Sequence, residues 1–148
     1  MTQLTLAKPD HAETLIKLIG DFHAEEGLES TEDHRAAAIS PLLEGSPNGA
    51  IYLAGPARAP VGYVALSFGW SITGGGLETY IDEFYIRPGV RGRGIGTEIL
   101  TNLPAQLASF GLKALHLDVH HTNTRARKLY EKLGFNANED YTLMTRRL

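Results

Sequence analysis

The sequence contains no cysteine, which excludes disulfide scaffolds, thiolate metal sites and a cysteine nucleophile. It also has no apolar run near the roughly 20 residues that span a bilayer. Its start lacks the charged-then-apolar order of a signal peptide, so we expect a cytoplasmic protein with no membrane partner. The sequence also has no excess of basic residues. It contains 14 lysines and arginines and 17 aspartates and glutamates, which gives a net charge of −3. That balance disfavours nucleic acid as a partner.

The length and the charge distribution favour one domain with two different surfaces. The chain has 148 residues, 43% of them hydrophobic, with no internal repeat and no linker-like segment, so we expect a single domain over residues 1–148. Residues 1–50 hold nine acidic and three basic side chains, whereas the remainder holds eight acidic and eleven basic ones. This asymmetry fits a cationic ligand beside an anionic one, although two solvated faces would look the same.

Hydrophobic periodicity predicts an α/β fold with a mixed sheet. The order of elements is β-α-α-β-β-β-α-β-α-β, with glycine expected to end or break the first helix at Gly20. The predicted strands are Thr2–Ala7, Ala50–Ala54, Val61–Phe68, Leu77–Ile86, Ala114–Val119 and a closing strand at Tyr141–Arg146. The predicted helices run from Ala12, from Ser30 or Thr31 to Leu43, from Gly94 to Phe110 and from Thr124 to Leu133.

A glycine-rich turn between a strand and a helix is the most informative segment. Gly92, Gly94 and Gly96 stand at alternate positions where the helix begins. The first N–H groups of a helix have no partner within it, and glycines let a ligand approach them, so this turn predicts a phosphate or pyrophosphate site. A P-loop is excluded because no lysine follows, and the dinucleotide fingerprint has a different glycine spacing. A turn that simply needs glycine is the alternative.

Four segments in sequence carry a family resemblance. They are the strand Tyr80–Ile86, the turn Arg91-Gly-Arg-Gly94-Ile-Gly96, the strand Leu115–Val119 and the block Asn123-x-x-Ala126-x-x-x-Tyr130-x-x-x-Gly134-Phe135. With them the sequence resembles the GNAT superfamily of N-acetyltransferases, from about Leu4 to Arg147. The resemblance implies a mixed, mostly antiparallel sheet of six to seven strands. It also implies helices on both faces and a separation of the fourth and fifth strands.

The resemblance further implies acetyl-CoA as co-substrate and no metal. Backbone N–H groups of the turn would hold the pyrophosphate, and the end of the fourth strand would pair with the pantetheine arm as an added strand would. The implied coenzyme-binding residues are Phe84, Tyr85, Ile86, Arg91, Gly92, Arg93, Gly94, Ile95, Gly96, Thr97, Asn123 and Arg127.

The implied reaction is direct attack of an amine on the thioester in a ternary complex. An alkylamine is more than about 99.9% protonated at pH 7, so a base must accept its proton. By position Asp82 matches the base of some family members, with Glu83 in reserve, and each could instead be salt-bridged to a loop arginine. Tyr130 matches the proton donor for the leaving thiolate, the alternative being a core tyrosine. His120 and His121 are further candidates for relaying a proton.

The acceptor is predicted to be a small basic amine or a peptide. Carboxylates beside aromatic faces suit a cation, and the predicted substrate-binding residues are Phe22, Glu25, Glu26, Trp70 and Tyr80. The resemblance also allows a homodimer. Two rival functions remain: a non-catalytic acyl-CoA-binding sensor, and a nucleic-acid-binding module. The second would use Arg87, Arg91, Arg93, Arg125, Arg127 and Lys128.

Overall fold

The computed structural model describes residues 2–148, which form two compact units. The first unit ends at Asp118, and the second is Val119–Leu148. The first contains the sheet and three of the four α-helices. The second contains a single α-helix, and each unit is described by itself.

One five-stranded sheet organises the first unit. Its strands are β1 (Leu4–Leu6), β2 (Gly49–Ala54), β3 (Gly62–Ser71), β4 (Gly76–Ile86) and β5 (Leu112–Leu117), and they lie in the order β1-β2-β3-β4-β5. The first four strands are antiparallel to their neighbours, whereas β4 and β5 are parallel. This confirms the mixed, mostly antiparallel sheet.

The α-helices are α1 (Ala12–Glu25), α2 (Glu32–Leu43) and α3 (Ile95–Gln106) in the first unit, and α4 (Thr124–Lys132) in the second. Short 3-10 turns lie at Pro9–His11, Pro88–Val90 and Ala108–Phe110. The predicted start of α2 is confirmed, since the Thr31 hydroxyl accepts the backbone N–H of His34 at 3.1 Å and so caps the helix. Among these helices of residues 2–148, none is long and apolar enough to cross a membrane.

The helices of the first unit lie on both faces of the sheet. On one face α1 and α2 pack on a buried cluster that includes Leu15, Ile39, Leu53, Tyr63 and Tyr85. Phe84 points the other way because side chains alternate along a strand. A Cβ placed on Gly96 of α3 would lie 3.6 Å from the Phe84 ring, so α3 covers the opposite face.

The predicted closing strand at Tyr141–Arg146 is wrong, and the sheet has five strands rather than six or seven. Within the described residues no helix or strand occurs after α4. Tyr141, Leu143 and Met144 are all strongly exposed. Two adjacent apolar residues, Leu143 and Met144, break the alternation, and no buried face fixes a register for a strand here.

The predicted end of the first helix at Gly20 is also wrong, because α1 continues to Glu25. A Cβ on Gly20 would stand 3.1 Å from the guanidinium carbon of Arg35. That guanidinium reaches across from α2 and donates from Nε to the carbonyl of Ile16 at 3.0 Å. The glycine therefore makes room for a neighbouring side chain, a reason that local sequence does not show.

Candidate active site

A β-bulge places two consecutive carboxylates at the centre of β4. Ala65 on β3 lies opposite Glu83, and the next residue, Leu66, lies opposite Ile81. Asp82 is the extra residue of the bulge. A bulge locally twists a strand and changes where its side chains point. The side chains of Asp82 and Glu83 therefore have different surroundings, although the two residues are adjacent in sequence.

The pairing of β4 with β5 ends just before this bulge, at the last residue of β5. Their pairing runs from Leu77 to Ile81 on β4 and ends at the pair Ile81–Leu117. Beyond that pair β4 continues to Ile86, and within residues 2–118 its backbone has no strand partner on the side of β5. The predicted separation of the fourth and fifth strands is confirmed. An open strand edge of this kind can accept an extended ligand.

The glycine-rich turn follows β4 and opens α3. Gly92 and Gly94 have φ values of +79° and +78°, so both positions favour glycine. Glu98 makes the first intrahelical bond, to the Gly94 carbonyl at 3.0 Å. Within residues 2–118 the backbone N–H groups of residues 92–97 donate no hydrogen bond. The turn therefore presents free N–H donors at the positive end of a helix.

Arg91 connects this turn to α1. Its Nε donates to the Ile86 carbonyl at 2.8 Å, and its Nη2 donates to the Glu25 carboxylate at 2.6 Å. Its guanidinium carbon also lies 5.6 Å from the centre of the Tyr85 ring. From the sequence, Arg91 is predicted to bind the coenzyme and Glu25 the acceptor. The structure pairs these two side chains with each other.

Glu83 is engaged on both of its carboxylate oxygens. Oε2 lies 2.6 Å from Nε2 of His23, and Oε1 accepts the Tyr63 hydroxyl at 2.9 Å. Burial and the nearby Glu83 carboxylate raise the pKa of Tyr63, so its hydroxyl stays a donor. The sequence did not indicate that His23 contacts Glu83. The available signal was its position four residues after the buried Ile19, on the inward face of α1.

Asp82 is the free carboxylate of the pair. Its side chain is exposed and makes no hydrogen bond to residues 2–118. Surrounding protein atoms displace part of its hydration and raise its pKa above the usual value of 3.8. The neighbouring Glu83 also raises the pKa of Asp82, while His23 partly opposes the change. The arrangement suits a carboxylate that must accept a proton.

The predicted acceptor residues do not all lie together. Tyr80 pairs with Ser67 and Trp70 with Leu77, so these two aromatic side chains lie on opposite faces of the sheet. Tyr80 stacks on His116 with ring centres 4.6 Å apart. Phe22 packs against Tyr63 and Tyr85 on the α1 face, and Glu26 is exposed beyond the end of α1.

The second unit holds Asn123, Arg127 and Tyr130, together with the relay candidates His120 and His121. The Asn123 side chain accepts the Ala126 N–H at 3.1 Å and caps α4. Arg127 donates to Glu131 at 3.0 Å and to Glu139 at 2.6 Å. Burial raises the pKa of Tyr130, whose ring stands edge-on to Phe135 at 6.0 Å. This hydroxyl therefore keeps its proton at neutral pH.

Comparison with known proteins identifies the family. A model described as the Acetyltransferase (GNAT) family matches residues 13–135. The chain belongs to this family. The resemblance found in the sequence is therefore confirmed, and the predicted enzyme class, an acetyltransferase, is confirmed at the level of the family.

Individual relatives agree with this class. A thialysine N-epsilon-acetyltransferase of Bos taurus is 36% identical over 74 residues, 50% of this chain and 43% of that protein. The match thus spans less than half of the bovine protein. An uncharacterized N-acetyltransferase of Mycobacterium bovis is 30% identical over 115 residues, 72% of this chain and 70% of that protein. A solved structure from Arthrobacter sp. FB24, 32% identical, covers 99% of this chain and 96% of that chain with a TM-score of 0.83.

Proposed function

We propose that the chain transfers an acetyl group from acetyl-CoA to a primary amine by direct attack in a ternary complex. The observation that carries this proposal is the arrangement along β4. One strand bears the Asp82 carboxylate at a bulge, continues with an open edge and ends in a turn with free N–H donors. The name of the bovine relative, an N-epsilon-acetyltransferase, also puts the acetyl group on an amine.

Acetyl-CoA is the acyl donor that suits this arrangement. The N–H groups of residues 92–97 would hold the diphosphate, because free donors and the helix dipole both favour an anion. Phe84 and Tyr85 would bond the pantetheine arm through the open edge of β4. Arg91 acts here as a support for the turn, since Glu25 and the Ile86 carbonyl already engage its guanidinium. Arg93, Asn123 and Arg127 are proposed as further contacts to the coenzyme.

Asp82 is the proposed base for the ammonium group of the acceptor. Its raised pKa reduces the difference between the pKa of Asp82 and that of the ammonium group. Asp82 also has no competing hydrogen bond to residues 2–118. Glu83 serves less well because His23 and Tyr63 occupy its two oxygens. After deprotonation, the amine attacks the thioester carbonyl. The tetrahedral intermediate loses the second nitrogen proton to solvent and expels the thiolate of coenzyme A, leaving the amide.

Tyr130 is the proposed donor of a proton to that thiolate. Replacing Tyr130 by phenylalanine should lower kcat at least about tenfold, equivalent to about 1.4 kcal/mol of transition-state stabilisation, with KM for acetyl-CoA little changed. Steady-state thiol release measures both constants. Tyr141→Phe is the matched control, since Tyr141 is an exposed tyrosine of the same unit. A loss below tenfold for Tyr130→Phe removes this residue from the acid role.

The acceptor is proposed to be a small basic amine or a basic peptide. Acidic and aromatic side chains lie on the α1 side of β4, where Glu26 and Tyr80 are exposed and Phe22 is partly buried. A panel of polyamines, lysine analogues and basic peptides should release thiol from acetyl-CoA faster than matched alcohols or amides do. The proposal about the acceptor fails if no basic amine releases thiol faster than buffer alone does.

Coenzyme binding separates this proposal from its alternative. Desulfo-coenzyme A should bind with measurable heat and raise the melting temperature, because it keeps the diphosphate and most of the pantetheine arm. Binding without product from any amine would instead identify a non-catalytic acyl-CoA sensor. No binding at all would contradict both readings.

A further inference from the structure

A continuous line of hydrogen bonds runs from α2 to the bulged strand β4. Arg35 on α2 donates from Nη1 to the carbonyl of Ser30 at 2.7 Å and to its hydroxyl at 2.9 Å. The Ser30 hydroxyl lies 2.7 Å from Nδ1 of His23, and Nε2 of His23 lies 2.6 Å from Glu83. Tyr63 on β3 closes the line at the other oxygen of Glu83. The line therefore connects both helices of one face to the two central strands.

A single consistent assignment of donors and acceptors can be made along this line. Arg35 can only donate, so the Ser30 oxygen accepts from it, and the Ser30 hydrogen is then available to be donated to Nδ1 of His23. Nε2 then carries the imidazole hydrogen and donates it to Glu83. Tyr63 donates to the same carboxylate. One neutral tautomer of His23 thus satisfies all the hydrogen-bonding groups along the line.

We propose that His23 is a positioning residue for acetyl transfer: together with Ser30 and Arg35 it holds Glu83 against α1 and thereby fixes the adjoining bulge from which Asp82 projects. This inference rests on the function proposed above. Glu83 is the residue directly after the bulge, so a fixed Glu83 side chain limits how the backbone at Asp82 can twist.

The same line also selects which carboxylate is free. Without a donor from His23, Glu83 would be able to turn toward the acceptor side and compete with Asp82 for the ammonium group. The line further holds Ser30, which lies in the segment between α1 and α2 that also contains the exposed Glu26. The groups that face His23 from neighbouring elements are Glu83, Asp82, Tyr63 and the Ser30–Arg35 pair.

Two substitutions of His23 test its hydrogen bonds to Glu83 and to Ser30 one at a time. His23→Gln places an amide near the position of Nε2 and keeps a donor for Glu83. His23→Asn places an amide near Nδ1 and keeps only the bond to Ser30. We expect kcat to fall about 10- to 100-fold in His23→Asn and less than about threefold in His23→Gln, because small displacements of reacting groups cost rates of this order. KM for acetyl-CoA and the affinity for desulfo-coenzyme A should stay unchanged in both variants.

Two variants of His34 serve as matched controls, and Ser30→Ala tests the same hydrogen-bond line at a second position. His34→Asn and His34→Gln change an exposed histidine of α2 and should leave kcat unchanged. Ser30→Ala removes the hydroxyl that orients the imidazole and should lower kcat several-fold, which tests the line if His23→Asn folds poorly. Equal kcat values for His23→Asn and His23→Gln would overturn the proposal, as would an unchanged kcat in Ser30→Ala.

One readout does not depend on activity. Nitrogen-15 spectra of the imidazole should show the Nε2–H tautomer of His23 in the wild-type protein. In Ser30→Ala this tautomer should be less dominant. A predominant Nδ1–H tautomer would overturn the hydrogen-bond line itself. A wild-type protein with the expected tautomer that acetylates no amine would overturn the proposed function. An active wild type with an unaffected His23→Asn would overturn the positioning role alone.

Discussion

Gly94→Ala is expected to weaken acetyl-CoA binding at least about tenfold. Gly94 caps α3 with φ at +78°, a conformation that costs an alanine about 1–2 kcal/mol. If the backbone relaxes to avoid this cost, the N–H groups of residues 92–97 no longer converge on one diphosphate. A tenfold loss corresponds to about 1.4 kcal/mol. Isothermal titration with acetyl-CoA measures the affinity, and thermal melting of the free protein measures the strain.

Gly89→Ala is the matched control for this prediction. Gly89 lies in the same connection between β4 and α3, and a Cβ there would likewise meet open space. Its φ is not positive, so alanine can adopt its conformation. We expect coenzyme affinity within about twofold of the wild type, well under 1 kcal/mol. Equal affinities for Gly89→Ala and Gly94→Ala would show that the conformation at Gly94 does not align the coenzyme site.

Asp82→Asn is expected to lower kcat by about 10²- to 10⁴-fold, the range that general bases contribute. The amide keeps the size of the side chain but cannot accept the proton of an ammonium group. The affinity for desulfo-coenzyme A should remain, because Asp82 is not part of the diphosphate site. Asp10→Asn, at an exposed carboxylate before α1, should leave kcat unchanged. A fall of less than tenfold for Asp82→Asn would exclude Asp82 as the base.

The pKa of Asp82 adds a prediction about pH to the same variant. Because partial loss of hydration and the neighbouring Glu83 raise this pKa, the acid limb of kcat/KM should lie above the usual range of an aspartate. A folded-state pKa above the unfolded value means that the proton stabilises the fold. This stabilisation is full below the unfolded pKa and is lost as pH rises through the folded pKa. Asp82→Asn should therefore keep or raise the melting temperature at neutral pH while activity falls.

The features that could be predicted from the sequence are those that short segments determine. The helix start at Gly94, the central strand Gly76–Ile86 and the cap of α2 at Thr31 each depend on neighbours within a few residues. The family block around Asn123 and Tyr130 was found in the same way. These features need only backbone conformation, capping and periodicity, so local patterns were enough to predict them.

The rest depends on contacts between distant residues. The bond between His23 and Glu83 joins positions 60 residues apart, and no local pattern reports it. The bulge at Asp82 arises from the register against β3, which the sequence of β4 does not determine alone. Gly20 was misinterpreted because its role depends on Arg35 of the next helix. Trp70 was grouped with Tyr80 by composition, although strand alternation puts it on the other face.

The contact between Arg91 and Glu25 limits how this enzyme can be redesigned. Changing acceptor preference by replacing acids at the end of α1 would ordinarily begin with Glu25, the acid nearest the glycine-rich turn. Its loss would also release the arginine that holds that turn, so a change of amine preference would bring weaker use of the acyl donor. Glu26 and Tyr80 are the better first positions for directed evolution, since neither is bonded to the turn.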